Sequence, residues 1–203
     1  MTTKVQSDMV NIDGATVATV AAADKINFFD VTDSLVKEDT VQGVLDLVPS
    51  AGFTLGTEQA TTSGTSKTFS GIPAGTKMII LTLKGCSFTG ANNLDLTIGD
   101  SGGLETSGYQ SASTVINGGS LYTSGSTAEF IVKGDQATTM DLNGHAILTL
   151  EDSSDYTWSC SHQFEQGGAP TWGSGTKSLS AELTQLQISG GTFSTGVVNI
   201  SYI

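Results

Sequence analysis

From about Ser66 to Ile203 the chain is a succession of short apolar-alternating segments separated by Gly, Ser and Asp. That rhythm constrains the fold more than any other feature. Period-two alternation puts one side of each segment in a core and the other in water, and frequent turns leave no room for helices. The expected strands are Lys67–Ser70, Lys77–Lys84, Leu94–Gly99, Ala128–Lys133, His145–Asp152, Tyr156–Phe164, Ser178–Ser189 and Thr192–Ile203. Strands at this frequency predict a mainly β chain ending in an antiparallel β-sandwich, jelly-roll-like, over residues 66–203.

Several segments say which side is buried. Ala146, Leu148 and Leu150 alternate with Ile147, Thr149 and Glu151; Tyr156, Trp158 and Cys160 alternate with Thr157, Ser159 and Ser161. Lys77–Lys84 is apolar on both sides in its middle, which predicts a central strand. Leu179, Ala181 and Leu183 share one side, but Leu186 and Ile188 fall on the other. That phase change predicts a bulge, or a strand that leaves one sheet and joins the second.

Residues 1–50 read differently. Met9–Ile12 and Lys25–Val31 suit short strands. Asp39-Thr40 suits a helix start, with Gln42 completing a capping box. Val41, Val44, Leu45 and Val48 then share one helical face, and Pro49 ends it. Two turns are too short to be stable alone, so this helix must dock on the small strands, another subunit or a larger assembly. Ile26, Phe28, Phe29, Val41, Val44, Leu45 and Val48 are the candidate contacts for an oligomer or a docking partner. Residues 51–65, rich in Gly, Ser and Thr, are a linker or a lead-in strand around Phe53 and Leu55.

Composition narrows the function. The net charge is −12, and all eight basic residues are Lys. An acidic chain without guanidinium forks argues against nucleic-acid binding. The polar start predicts no signal peptide, and no apolar run is long enough to cross a bilayer as a helix. Cys86 and Cys160 lie in strand-like segments and read as two buried free thiols, although a disulfide is possible. Their spacing does not suit a zinc site, and only His145 and His162 could join them. No cofactor or metal is expected. Glu151–Asp155 lacks EF-hand spacing and reads as a hairpin loop, with calcium as the lesser alternative.

Gly99-Asp-Ser-Gly-Gly103 matches the nucleophile loop of chymotrypsin-like proteases. That chemistry needs a His base and a buried Asp ahead of the Ser in that order. Here both histidines follow Ser101, and Leu104 stands where Pro is usual. A turn leaving a strand is the better reading, a serine hydrolase the remote one, and no catalytic residue is assigned. The aromatics are more suggestive. Phe164 and Trp172 flank a Gly-rich connection, and Tyr109 and Tyr122 lie in another, Asp100–Ala128. On long loops these four are candidate surface-binding residues, a platform for sugar rings or another polar surface. Trp172 plugging its loop onto the core, or packing between subunits, is the equal alternative.

One resemblance organises these features. It rests on Thr61-Thr-Ser-Gly-Thr-Ser66, Phe69-Ser-Gly-Ile-Pro-Ala-Gly-Thr76, Ile98–Tyr109, Leu148–Trp158, Lys177–Leu183 and Gly196–Tyr202. Together they resemble a β-domain at the C-termini of tailed-phage tail-fibre and minor virion structural proteins. Ala23–Asp33 and Val36–Leu47 are similar, more loosely, to fibre-shaft and virion-attachment segments. The resemblance implies a homotrimeric virion protein made in the host cytoplasm, with its N-terminal segment on other virion proteins. The exposed end would meet a host surface polysaccharide or protein. It supplies no catalytic residues. A short tail fibre or spike is the first expectation; a capsid decoration, head-fibre or collar protein is the alternative, since no long shaft is evident.

Overall fold

The computed structural model describes residues 21–30, 32, 34–45, 52–90, 93–134 and 141–203. The expectations on Met9–Ile12, Val31, Val48 and Pro49 lie outside the described residues, as does the side chain of Leu45. The chain divides into two compact units, Met1–Ala51 and Gly52–Ile203.

In the first unit, β1 (Lys25–Asp30) and β2 (Leu35–Thr40) form an antiparallel hairpin, followed by α1 (Val41–Leu45). The strand β2 was not foreseen, because Leu-Val-Lys-Glu-Asp-Thr has no apolar alternation; pairing with β1 defines it. It also moves the helix cap. Thr40 Oγ1 accepts from Gly43 N at 2.9 Å, so Thr40, not Asp39, is the N-cap and no Asp39–Gln42 box closes. Asp39 instead accepts from Thr40 N at 2.7 Å. A Cβ on Gly43 would stand 2.2 Å from Asp39 Oδ1, so a larger residue there would displace the Asp39 carboxylate. The next two orphan donors, Val41 N and Gln42 N, bond to the carbonyls of Asp24 and Ala22.

The second unit carries β3 (Thr54–Leu55), β4 (Gln59–Ala60), β5 (Ser66–Ser70), β6 (Met78–Thr89), β7 (Leu94–Asp100), β8 (Gly103–Leu104), β9 (Gln110–Asn117) and β10 (Ser120–Ser126). These are followed by β11 (Phe130–Lys133), β12 (Leu142–Asp152), β13 (Thr157–Gln166), β14 (Ala169–Ser178), β15 (Gln185–Ser189) and β16 (Thr192–Tyr202). The large sheet runs β10-β9-β14-β13-β12-β6-β16-β3, with β4 also on β16. The small sheet runs β11-β7-β15-β5, with β8 on β7. Every pairing is antiparallel. The chain is therefore mainly β, with a sandwich-like arrangement of sheets. Residues 54–60 are lead-in strands on β16.

Both sheets send apolar side chains into one core. Ile79, Leu81, Leu148 and Trp158 come from the large sheet, and Leu96, Ile98, Leu186 and Ile188 from the small one. Phe88 and Phe193 meet edge to face at 6.2 Å between centroids. Cys86 and Cys160 are buried free thiols, and burial pushes Cys160 up to about 12. The phase change after Leu183 is a change of sheet. Ser178 ends β14 in the large sheet, residues 179–184 cross over, and β15 pairs in the small one. Strand β6 is central and outruns its expected end at Lys84, pairing with β16 as far as Thr89 across two register shifts. Gly196, at φ 92°, permits that irregularity: a Cβ there would lie 2.4 Å from the Gly85 backbone.

Candidate surface-binding site

The two Gly-rich connections are not loops. Gly118-Gly119 (φ 57° and 81°) and Gly167-Gly168 (φ 55° and 90°) are two-residue hairpin turns. Positive φ at both central positions matches the right-handed strand twist, which is why Gly-Gly serves. They join β9 to β10 and β13 to β14. The aromatics expected on loops therefore stand on strands, where alternation decides which of them reach water.

Two of the four do not. Tyr109 is 1% exposed. Its hydroxyl accepts from Ile98 N at 2.9 Å and lies 2.9 Å from the Glu105 carbonyl, to which it can donate. Its ring meets Phe130 edge to face at 4.9 Å, and Lys177 Nζ stands 5.6 Å from the ring centroid. Glu105 receives both Lys177 Nζ and Ser180 N. Tyr109 is thus a core residue whose polar tip satisfies a strand end, not a surface contact. Phe164 is 4% exposed. Because β13 runs to Gln166, Phe164 stays in phase with Trp158, Cys160 and His162 and points inward, stacked on His162 at 6.0 Å.

Trp172 and Tyr122 do reach water, at 41% and 48% exposure, but on opposite sides of the sheet. Tyr122 lies across from Val115, which is buried, whereas Trp172 lies across from Thr114 on the outward side. The structure therefore does not gather the four expected residues. It gathers others around Trp172. Successive registers place Thr123, Thr114, Trp172, Gln163, His145, Thr82 and Asn199 in one row across seven strands. Exposed Ile116 and Leu121 form a cross-strand pair on the same side. A shallow cleft of about 440 Å³ is lined by Asn143, His145, Gln163, Glu165, Pro170 and Trp172 among others. An indole face beside amide, imidazole and carboxylate groups can stack a sugar ring and hydrogen-bond its hydroxyls. Reading residues 169–178 as a strand behind the Gly167-Gly168 turn would have set Gln163 opposite Trp172; His145 depends on the pairing of β12 with β13, which no local pattern signals.

The Gly99–Gly103 segment is a turn between β7 and β8 in the small sheet. Asp100 is buried; it accepts from Gly102 N at 2.7 Å and Ser180 Oγ at 2.5 Å. Ser180 first, then the Gly102 amide, hold its carboxyl below the usual carboxylate range. A Cβ on Gly99 would lie 2.1 Å from the Gly103 carbonyl oxygen, so the glycine there serves the backbone. The imidazoles belong to the large sheet. His162 points inward, with Nε2 3.0 Å from Ser113 Oγ, and burial lowers it to about 4. In the Glu151–Asp155 segment, Asp152 and Asp155 accept from Ser154 and Thr157, closing the hairpin turn. Among the described residues no group of three or more His, Cys, Asp or Glu is placed to hold a metal, and no helix is long and apolar enough to cross a membrane.

On the N-terminal hairpin, register puts Ile26, Phe28 and Leu35 on one side and Phe29 and Val36 on the other. All five are exposed, as is Val44, while Val41 is half-buried. Leu35 and Val36 join the expected contacts; they were missed with β2. Comparison with known protein families, curated proteins and solved structures finds no match for this chain.

Proposed function

We propose that this chain is a non-enzymatic virion structural protein of a tailed phage, a short tail fibre or spike. Its N-terminal unit attaches to other virion proteins and to further copies of the chain, as a homotrimer. The sandwich faces the host and binds surface polysaccharide through the outward side of its large sheet, around Trp172. The observation that carries this reading is the hairpin β1–β2, whose apolar side chains stand in water on both sides. A two-stranded hairpin is marginal by itself, and exposed apolar groups on both sides call for a covering partner. The sandwich resemblance supplies the virion context, and the indole cleft suits a carbohydrate.

Adsorption competition tests it. Excess soluble protein is expected to block phage adsorption to host cells, and a Trp172→Ala protein to block poorly. Failure of the native protein to block, beside a working competitor, removes the receptor-binding role. A capsid decoration, head-fibre or collar protein is the second reading. It is favoured by the short step in sequence from α1, which ends at Leu45, to β3, which starts at Thr54. Antibody to the sandwich labelling tails alone supports the first reading; uniform capsid labelling supports the second.

A further inference from the structure

Strand β10 ends the large sheet, and among the described residues no strand pairs with its outer edge. Seven residues, Ser120–Ser126, run in unbroken register with β9. Natural edge strands of this length are usually blunted by Lys, Pro, a bulge or a covering segment, because a free row of N–H and C=O groups templates another strand. β10 has no charge, no proline and no bulge. The sheet's other end is β3, two residues long. The edge of β5 in the small sheet carries Lys67, and Gln59 Nε2 donates to its Thr68 carbonyl.

Charge selects the partner. The chain carries −12 overall, so two copies repel over most of their surface. From Thr106 to Ala128 there is no Asp, Glu, Lys, Arg or His. The β9–β10 hairpin itself therefore opposes no like charges; the Glu129 carboxylate beside it accepts from Ser126 Oγ, at the end of the strand and away from Thr123.

The strand is also self-complementary. Paired antiparallel about a two-fold axis at Thr123, Leu121 lies opposite Gly125, Tyr122 opposite Ser124, and Thr123 opposite itself. Each large side chain meets a small one on its own side of the sheet, and the centre is a threonine pair, a favourable cross-strand combination. Leu121 and Tyr122, both largely exposed, would be covered.

We propose that β10 is an interface with a second copy of this chain, formed by edge-to-edge antiparallel pairing about Thr123. The interface is isologous, so it closes after two copies. It joins the outward sides of two large sheets into one continuous surface with two Trp172 clefts. It is independent of the N-terminal unit: if that unit forms trimers, β10 joins trimers in pairs.

The full-length chain is measured by sedimentation and light scattering, beside Thr123→Lys and Thr123→Cys. Thr123 is exposed, and a lysine there would oppose its own copy across the axis. Thr123→Lys is expected to halve the particle mass of the native protein, whatever the native number of copies. Thr123→Cys is expected to give a disulfide-linked pair under mild oxidation, since residues opposite one another across a strand pair lie within reach of a bridge. A native mass of 20.9 kDa at every concentration overturns the proposal and leaves the edge to a foreign strand. So does a Thr123→Lys mass equal to the native one, or failure of Thr123→Cys to cross-link. Loss of adsorption blocking with a halved mass still counts for the pairing, because mass alone decides it.

Discussion

The hairpin β1–β2 and the sheet pair of the sandwich are built from similar strands, yet they leave their apolar side chains in opposite conditions. In the hairpin Phe29 is 59% exposed and Val36 72%; in the sandwich Trp158 is 2% exposed and Leu148 fully buried. Ladder hydrogen bonds are present in both. The difference is the second layer. A strand becomes part of a stable core only when another apolar face covers it, since each backbone hydrogen bond adds little net stability. The hairpin's apolar side chains therefore stand uncovered, and those of the sandwich core are covered.

The largest expected effect comes from the covered side. Trp158→Ala should destabilise the sandwich by about 3–5 kcal/mol, seen as a lowered urea midpoint. Phe29→Ala or Val36→Ala should change the stability of the isolated chain by under about 0.5 kcal/mol while weakening assembly. Comparable losses from both would break the contrast.

Acid should act next, through His162. Its folded pKa of about 4 lies below the unfolded value of 6.5, so the unfolded state binds a proton first. Its stabilising contribution is complete above pH 6.5 and falls as pH drops towards 4, by up to about 3 kcal/mol. Asp95 opposes this. Burial, and then Glu129, raise its carboxyl to about 7, so its folded form keeps a proton and stability rises as pH falls from 7 to 3.8. Urea midpoints at pH 7.5 and 4.5 should therefore fall less steeply in His162→Gln, and more steeply in Asp95→Asn, than in the native protein. Unchanged slopes in both would remove the account.

Tyr109→Phe should cost about 1–3 kcal/mol, because the buried Ile98 N–H that Tyr109 now accepts would lose a partner; a neutral result would return Tyr109 to the surface. Trp172→Ala should be the mildest for folding, within about 0.5 kcal/mol, and a melt showing larger loss would make it a packing residue.

The β class, the central position of β6 and the phase change after Leu183 were legible, since alternation reports burial directly; whether that change was a bulge or a change of sheet was not, and the single strand expected over Ser178–Ser189 is instead the end of β14, a crossing and β15. The turn at Gly99–Gly103 was legible too, because no histidine precedes Ser101. The helix cap and β2 were not: both depend on pairing between segments, which local pattern does not carry. The aromatics failed for a sharper reason. Gly118-Gly119 and Gly167-Gly168 were available as hairpin signals, but reading them as loose loops removed the strand phase that assigns Tyr109 and Phe164 inward and Trp172 outward.

Residue order alone settled which side chains alternate, where glycine must bend the chain, and that the molecule is acidic and mainly β. Only tertiary structure decided which outward residues lie together. The row from Thr123 to Asn199 joins positions from seven strands, and a strand's neighbours depend on register. One residue of slip in β14 would turn Trp172 into the core; the Gly167-Gly168 turn fixes its register on β13, but does not fix the strands beyond. The packing of the opposite sheet does.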